Sequence, residues 1–393
     1  MSKEDFKYCS LITIITGISY FQLVFGIFST KWDNLSAFFP YRYTAMHWWR
    51  NGHIPFWDPY QNLGYPMHAN PQGAVWYPIT WLFGLIQEYS IYSLNLELVF
   101  HIILAGIGMY FLLKHSKLLP VFAFVGAITF GLSGFISSTS HMIGFTAGAA
   151  WLPWALLYIS KSIQSTTFKN LSGFSIITYL HLTGAYTAFS INIVYIYILF
   201  VLFKIMKSSE KVVVLSNSLK VLLFSGGLTL LLAGPYIYSI LDSLQYFSRA
   251  TSLEYNSKAF ESNFSWQAFQ SLCTPYVISA KEGFSGLDVS MSNLFVGIPS
   301  FLLSLAYFFL PYNPNKKYVL TALLVSTLLG LGNHTPLHQI IFSTIPGVDL
   351  YRHPYLFMVY STLILSYCGA YSLEYLYENR RLHKPIIPLF ICS

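Results

Sequence analysis

The sequence predicts an all-α polytopic membrane protein with about ten transmembrane helices and a large structured first extracytoplasmic loop. Two features of composition indicate this class, because 54% of the 393 residues are hydrophobic and only 9% are charged. A soluble domain carries roughly 25% charged residues. The third feature is the recurrence of apolar runs near the ~20 residues that a helix needs to cross a bilayer. We therefore expect a single membrane domain over residues 1–393, with the lipid bilayer as its solvent.

Ten apolar runs are predicted to span the membrane. They are residues 10–29, 92–113, 120–138, 143–160, 171–187, 189–206, 217–240, 293–311, 318–332 and 355–377. The first run follows Lys3 and Lys7 and lacks a small-residue cleavage site, so it is predicted to be a retained helix rather than a signal peptide. A further apolar run opens at Pro385 and soon stops, which is compatible with a chain truncated at its C-terminus.

The positive charges predict the orientation. With a cytoplasmic N-terminus, fifteen of the 22 Lys and Arg fall in inner segments, and every short inner loop is basic, as the positive-inside rule requires. The other seven lie outside: Lys31, Arg42, Arg50, Arg249, Lys258, Lys281 and Arg352. This asymmetry explains the net charge of +7 without a nucleic-acid partner. It places three loops outside, at 30–90, 241–292 and 333–353.

The first outer loop is the richest in chemistry. It holds six of the nine Trp and two Asp, Asp33 and Asp58. A set of apolar residues spaced for one helical face predicts an interfacial helix on the outer leaflet: Leu35, Phe38, Phe39, Met46 and Trp49. Proline and glycine residues then prevent the helix from continuing, so Asp58 is expected on a turn.

Each candidate in this loop has two interpretations. Asp33 follows the first helix closely, at headgroup height, and is either a general base or a solvated or capping residue. Asp58 is either a second carboxylate of the site or a turn-former before Pro59. Trp32 and Trp57 either stack against a sugar or belong to the aromatic belt at the membrane surface.

Three further sets of ionisable residues are candidates for the site. Arg352 and His353 precede the tenth run, where an Arg can hold a phosphate with a planar fork of donors or simply anchor the chain at the interface. Arg42 is a second candidate for the phosphate. Glu97 and His101 are four residues apart within the second run, where a structural hydrogen bond and a catalytic role are both open. No P-loop, dinucleotide fingerprint or HExxH motif is present.

Three segments together resemble a known family: WDN…IPFWDP…GYP after the first run, NLFVGIPSFLLSL, and LGLGNHTPLHQ…PGVDLYRHPYLF. Their order resembles that of bacterial YfhO-type membrane proteins, which are similar to the GT-C glycosyltransferases that use polyprenyl-phosphate sugars. The resemblance implies a multi-pass protein of the bacterial cytoplasmic membrane that transfers a sugar to an envelope glycan or lipid. It also implies an essential carboxylate in the first outer loop, which Asp33 matches by position.

The chemistry of such a transfer requires a base and a positive charge beside the departing phosphate. We expect Asp33 and Asp58 to be catalytic, and Arg352, His353 and Arg42 to bind the donor phosphate. A Mg²⁺ or Mn²⁺ ion held by Asp33 and Asp58 is an open alternative for part of that positive charge. The alternative function is a transporter or flippase of lipid-linked saccharides, which usually places ionisable groups or broken helices at mid-membrane.

Overall fold

The computed structural model describes residues 2–61, 63–247, 253–255, 264–278, 288–311, 313, 315–350 and 352–379. These residues are organised as α-helices joined by turns. In chain order the helices are α1 Lys3–Ser19, α2 Phe21–Val24, α3 Phe39–Arg50, α4 Pro78–Leu85, α5 Ile91–His115, α6 Pro120–Gly131, α7 Gly134–Thr139, α8 Ile143–Gln164, α9 Phe168–Gly184, α10 Thr187–Lys207, α11 Lys211–Lys220, α12 Gly226–Ser243, α13 Ile298–Ala306, α14 Lys316–Gly330, α15 Pro336–Thr344 and α16 Met358–Glu378.

Six helical segments of the described chain are long and apolar enough to cross a membrane: Ile91–His115, Pro120–Thr139, Ile143–Gln164, Thr187–Lys207, Lys211–Tyr246 and Pro354–Glu378. Each coincides with a run that the sequence predicts to span. The described residues therefore form an all-helical, multi-pass membrane protein. The other four predicted runs form the shorter helices α1, α9, α13 and α14, so ten spans remain a prediction.

Two of these shorter helices have identifiable boundaries. α9 ends at Gly184, after which Ala185 is extended (ψ 157°), so the stretch 171–206 is two helices. α13 starts only at Ile298, because Gly297 has φ +84°, a left-handed conformation that glycine adopts without strain. Three segments of the predicted second outer loop, 248–252, 256–263 and 279–287, lie outside the described residues.

The described chain divides into two compact units. The first comprises described residues of Met1–Ser19, Ile102–Ser140 and Ser252–Ser393. Here α16 packs on α13, α6 and α14 through small residues. A Cβ added at Gly369 would lie 2.9 Å from the Ser300 carbonyl oxygen, and one at Gly126 would lie 2.5 Å from Leu113 Cδ1. Such close approach is how helices associate where the surrounding lipid is as apolar as they are.

An ion pair ties α1 to the end of α5 in the same unit. Asp5 pairs with Lys114 and accepts a hydrogen bond from the Tyr110 hydroxyl at 3.0 Å. Ser2 and Asp5 also exchange side chain–backbone bonds of 2.9 and 3.1 Å, which cap the first turn of α1. Burial favours the protonated acid, but the hydrogen bonds from Lys114, Ser2 and Tyr110 outweigh it and hold the pKa of Asp5 below its usual value.

The second unit comprises Tyr20–His101 and described residues of His141–Thr251. Its centre is α8, which packs on α9 and is buried along most of its length. Gly148 and Gly173 lie directly against the rings of Phe189 and Tyr158. In contrast, Lys211–Tyr246 exposes many leucines and valines, as expected for a surface that contacts lipid.

The helix predicted to lie on the leaflet is α3, but its apolar face points into the protein. Met46 is fully buried, and a Cβ added at Gly84 of α4 would lie 2.2 Å from Met46 Cγ. Phe38 is also buried. Gly84 explains why α3 packs its apolar face on α4 and not on the membrane surface, because only a residue without a side chain lets α3 approach α4 this closely.

Candidate functional site

The segment that carries Asp33 is fixed by its neighbours. The Thr30 N–H donates to Asn95 Oδ1 at 3.1 Å, and the Asn34 Nδ2 donates to Thr30 Oγ1 at 2.6 Å. The Asn34 N–H donates to the His141 carbonyl at 3.0 Å, while Asn34 Oδ1 accepts the first free N–H of α8, that of Ile143, at 2.9 Å. Asn34 is fully buried, so these bonds hold the segment rigidly against α5 and α8.

Asp33 is exposed beside this buried anchor. It precedes a π-helical turn, Asn34–Phe38, but its side chain does not cap that turn. Among the described residues its carboxylate has neither a hydrogen bond nor an ion pair. A solvent-facing carboxylate on a rigid backbone is a suitable arrangement for a general base.

Trp32 adopts an unusual backbone conformation next to Asp33. Its φ is +54°, in the left-handed region that bulky residues rarely occupy. The side chain is 51% exposed, the Lys31 Nζ lies 4.1 Å from its ring centroid, and the His141 ring meets it edge-on at 5.3 Å. Strain of about 1–3 kcal/mol persists where the surroundings enforce it, and such residues cluster at functional sites.

Asp58 has the contacts of a turn residue. Its backbone forms an isolated antiparallel bridge with Tyr65, and its side chain is fully buried. Oδ1 accepts the Tyr60 N–H at 2.8 Å, and Oδ2 accepts Gln61 Nε2 at 3.2 Å. Both carboxylate oxygens are thus used within the turn, as the turn-forming interpretation requires.

Trp57 covers this turn from outside. Its side chain is 53% exposed, and a Cβ added at Gly64 would lie 2.6 Å from the indole. Gly64 has φ +98°, so the turn needs glycine both for its backbone and for the contact. The free side of the indole can accept an apolar or sugar surface.

Arg42 is enclosed and paired with Glu97. Its Nε lies 3.4 Å from Glu97 Oε1, and its guanidinium stands 5.6 Å from the Phe38 ring centroid. Glu97 also accepts the Thr80 hydroxyl at 2.8 Å and the Tyr89 hydroxyl at 2.6 Å. Only Nη1 of Arg42 is buried without a partner. These contacts favour a role for Arg42 in holding α3 and α4 to α5.

His101 does not bond to the Glu97 side chain, although the spacing invites it. Its Nδ1 lies 2.7 Å from the Glu97 carbonyl oxygen, which can only accept, so Nδ1 carries the proton. Nε2 therefore accepts the Tyr77 hydroxyl at 2.6 Å, and the Trp151 Nε1 donates to that same hydroxyl at 2.8 Å. Burial raises the pKa of Tyr77 well above its usual value, which keeps the hydroxyl a donor.

Arg352 and His353 belong to the first unit and are both partly exposed. His353 has φ +70° and ψ +70° and is followed by Pro354, which starts the turn leading into α16. This left-handed conformation is strained for a residue other than glycine. The site residues in the second unit are Asp33, Trp32, Asp58, Trp57 and Arg42.

Sequence reasoning missed the groups that position Asp33. His141, Asn95 and Ile143 are 60 to 110 residues away along the chain, roughly, and no motif marks them. The one available signal was polarity, since Asn95 and His141 interrupt or border apolar runs.

A metal finds limited support here. Among the described residues, no group of three or more His, Cys, Asp and Glu could hold an ion. The oxygens of Asp58 are occupied within its turn, so this side chain does not fit the role of a ligand shared with Asp33. An ion at Asp33 stays a prediction.

The fold and these contacts define a multi-pass helical membrane protein with a rigidly held, exposed carboxylate. No family model matches the chain, and no curated protein matches it.

Proposed function

We propose that this chain is a membrane glycosyltransferase that moves a sugar from a polyprenyl-phosphate donor to an envelope glycan or lipid. The observation that carries the proposal is the exposed Asp33 carboxylate on a segment held by Asn34. We further propose that the protein lies in the bacterial cytoplasmic membrane with its N-terminus inside, which places Asp33 on the outer face. The proposal retains ten membrane passes, with α1, α9, α13 and α14 as the shorter ones.

The proposed reaction needs four events. Asp33 accepts the proton of the acceptor hydroxyl, and the acceptor oxygen forms a bond to the anomeric carbon. The bond between that carbon and the phosphate oxygen breaks, and the polyprenyl phosphate leaves with the electron pair. The departing phosphate needs positive charge beside it, and Arg352 and His353 are the candidates that the sequence predicts for this role. Trp32 and Trp57, each about half exposed, are the proposed stacking surfaces for sugar.

The test is the transfer of labelled sugar from a polyprenyl-phosphate [¹⁴C]hexose to an envelope extract by purified protein in nanodiscs. Asp33→Asn keeps size and shape but cannot take the proton, so the rate should fall by about 10²–10⁴-fold. Asp242→Asn is the matched control, because Asp242 is also exposed and is predicted to lie outside. Wild-type turnover by Asp33→Asn would exclude Asp33 as the base.

A second candidate function is transport of lipid-linked saccharides. It is favoured by the Arg42–Glu97 pair, because Glu97 lies in the candidate span Ile91–His115 and buried charges in spans often serve transport. A fluorescent lipid-linked saccharide in proteoliposomes distinguishes the two functions. Transfer of the lipid between leaflets without loss of its sugar would replace the enzyme with a transporter.

A further inference from the structure

The turn around Asp58 presents an apolar surface to its surroundings. We call residues 54–61 and 63–65 the aromatic turn. Leu63 is fully exposed, Tyr60 is 79% exposed, and Phe56 and Ile54 are about half exposed. Leu63 has φ +64°, so the backbone is held in a strained conformation with an apolar side chain directed outward.

The aromatic turn is also depleted of charge. Between Arg50 and Glu88, Asp58 is the only Lys, Arg, Asp or Glu. A water-exposed segment of this length would carry about a quarter charged residues. Since Asp58 is buried and hydrogen-bonded within the turn, the outer surface of this segment carries no acidic or lysine or arginine charge.

Internal contacts prevent these side chains from folding inward. The Asp58–Tyr65 bridge closes the turn, and Trp57 packs on Gly64. His68 Nδ1 lies 2.8 Å from the Phe56 carbonyl oxygen, and the two rings meet edge-on at 5.3 Å. The exposed apolar surface is therefore a fixed feature of the fold.

A chain of hydrogen bonds places the turn near the ends of the membrane helices. Trp76 Nε1 donates to the His68 carbonyl at 2.9 Å, and Tyr179 of α9 donates to the Trp76 carbonyl at 2.7 Å. Tyr179 precedes the last residue of α9, Gly184, by about 7.5 Å of helix rise. The N–H of Tyr186, just before the span Thr187–Lys207, donates to Gly144 at the start of α8. The aromatic turn is thus connected, through His68, Trp76 and α9, to the ends at which the candidate spans Ile143–Gln164 and Thr187–Lys207 begin.

We propose that the aromatic turn is a membrane-interface anchor, with Leu63, Tyr60 and Phe56 inserted among the lipid headgroups and upper acyl chains. Tyrosine, tryptophan and uncharged apolar residues are the types that settle at this depth. The anchor would hold the segment that follows α3 against the bilayer surface. The proposal is independent of sugar transfer, because it concerns the lipid itself.

The test uses single cysteines in a protein whose Cys9, Cys273, Cys368 and Cys392 are replaced by alanine. Leu63→Cys is labelled with the fluorophore NBD and placed in nanodiscs whose lipids carry a nitroxide at the headgroup or the upper acyl chain. Ser209→Cys is the matched control, because Ser209 is exposed in the polar turn between α10 and α11. We expect blue-shifted emission and severalfold stronger quenching by the lipid nitroxides at position 63 than at 209.

Two results would overturn the anchor. Water-like emission at position 63 with strong quenching by iodide would show that the turn faces water. Protection from both lipid nitroxide and iodide would show that protein covers it. Tyr60→Cys provides the same readout if Leu63→Cys does not fold.

Discussion

Arg42 and Glu97 form an ion pair that is almost wholly enclosed. The Arg42 Nε lies 3.4 Å from Glu97 Oε1, and the two side chains are 1% and 0% exposed. The pair joins α3 to α5 across 55 residues of sequence. Arg42, which the sequence predicts to bind the donor phosphate, is therefore buried in the protein interior and paired with Glu97.

Removing one member of this pair should be more damaging than removing both. Glu97→Gln leaves a buried, uncompensated guanidinium and should cost about 3–5 kcal/mol of unfolding free energy. The double variant Arg42→Met, Glu97→Leu should lose less unfolding free energy than either Glu97→Gln or Arg42→Met alone. Denaturant unfolding in mixed micelles measures all three, and a double variant less stable than both singles would contradict the pairing.

Tyr77→Phe tests the bonds that join Trp151, Tyr77 and His101. The substitution leaves the Trp151 Nε1 and the His101 Nε2 buried without this partner, at a cost of about 1–3 kcal/mol for each. Tyr60→Phe is the control, because its ring is largely exposed. We expect a lower thermal midpoint for Tyr77→Phe only. Equal midpoints would show that the hydroxyl at position 77 contributes nothing.

His338 should make the first unit sensitive to acid. Burial lowers its pKa to about 4, and its ring lies beside those of Tyr255 and Phe342. Because the folded protein favours the neutral ring, this contribution to stability is complete above the unfolded pKa of about 6.5 and declines as the pH falls towards 4.

His338→Phe keeps an aromatic ring but removes the titration. Between pH 6.5 and 4 it should flatten the fall in unfolding free energy by at most about 1.4 kcal/mol per pH unit. The exposed His334 provides the control variant His334→Phe. An unchanged slope in His338→Phe would assign the acid sensitivity elsewhere.

The predicted orientation can be measured with impermeant thiol reagents in intact cells. Ser36 and Ser343 are exposed in segments predicted outside, and Ser209 is exposed in a segment predicted inside. After replacement of Cys273, Ser36→Cys and Ser343→Cys should be labelled and Ser209→Cys should be spared. The opposite pattern would reverse the protein in the membrane.

Sequence reasoning located the long membrane helices well, because their signal is local. The run predicted at 92–113 is the helix Ile91–His115, and the run at 355–377 lies within Pro354–Glu378. The hydropathy of a run does not report helix length where glycine or proline intervenes. For that reason α13 begins five residues later than its predicted run at 293.

The site was less predictable, because its contacts connect distant parts of the chain. Asp33 could be selected from its place after the first helix, but its support by Asn34 and Asn95 could not. Asp58 looked equally suited to catalysis and to a turn, and only its hydrogen bonds to Tyr60 and Gln61 favour the turn. The spacing of Glu97 and His101 suggested a side-chain bond, whereas His101 uses the Glu97 carbonyl.

The hydrogen bonds of Asn34 determine when the segment around Asp33 can fold during synthesis. Asn34 and Ile143 are separated by 109 residues, and ribosomes add about 5–20 residues per second. Asn34 therefore waits for roughly 5–20 s of synthesis before its amide oxygen meets the start of α8. Before α8 has been synthesised, the segment that carries Asp33 lacks its hydrogen bonds to His141 and Ile143. The proposed site around Asp33 can therefore form only after α8 has been synthesised and inserted.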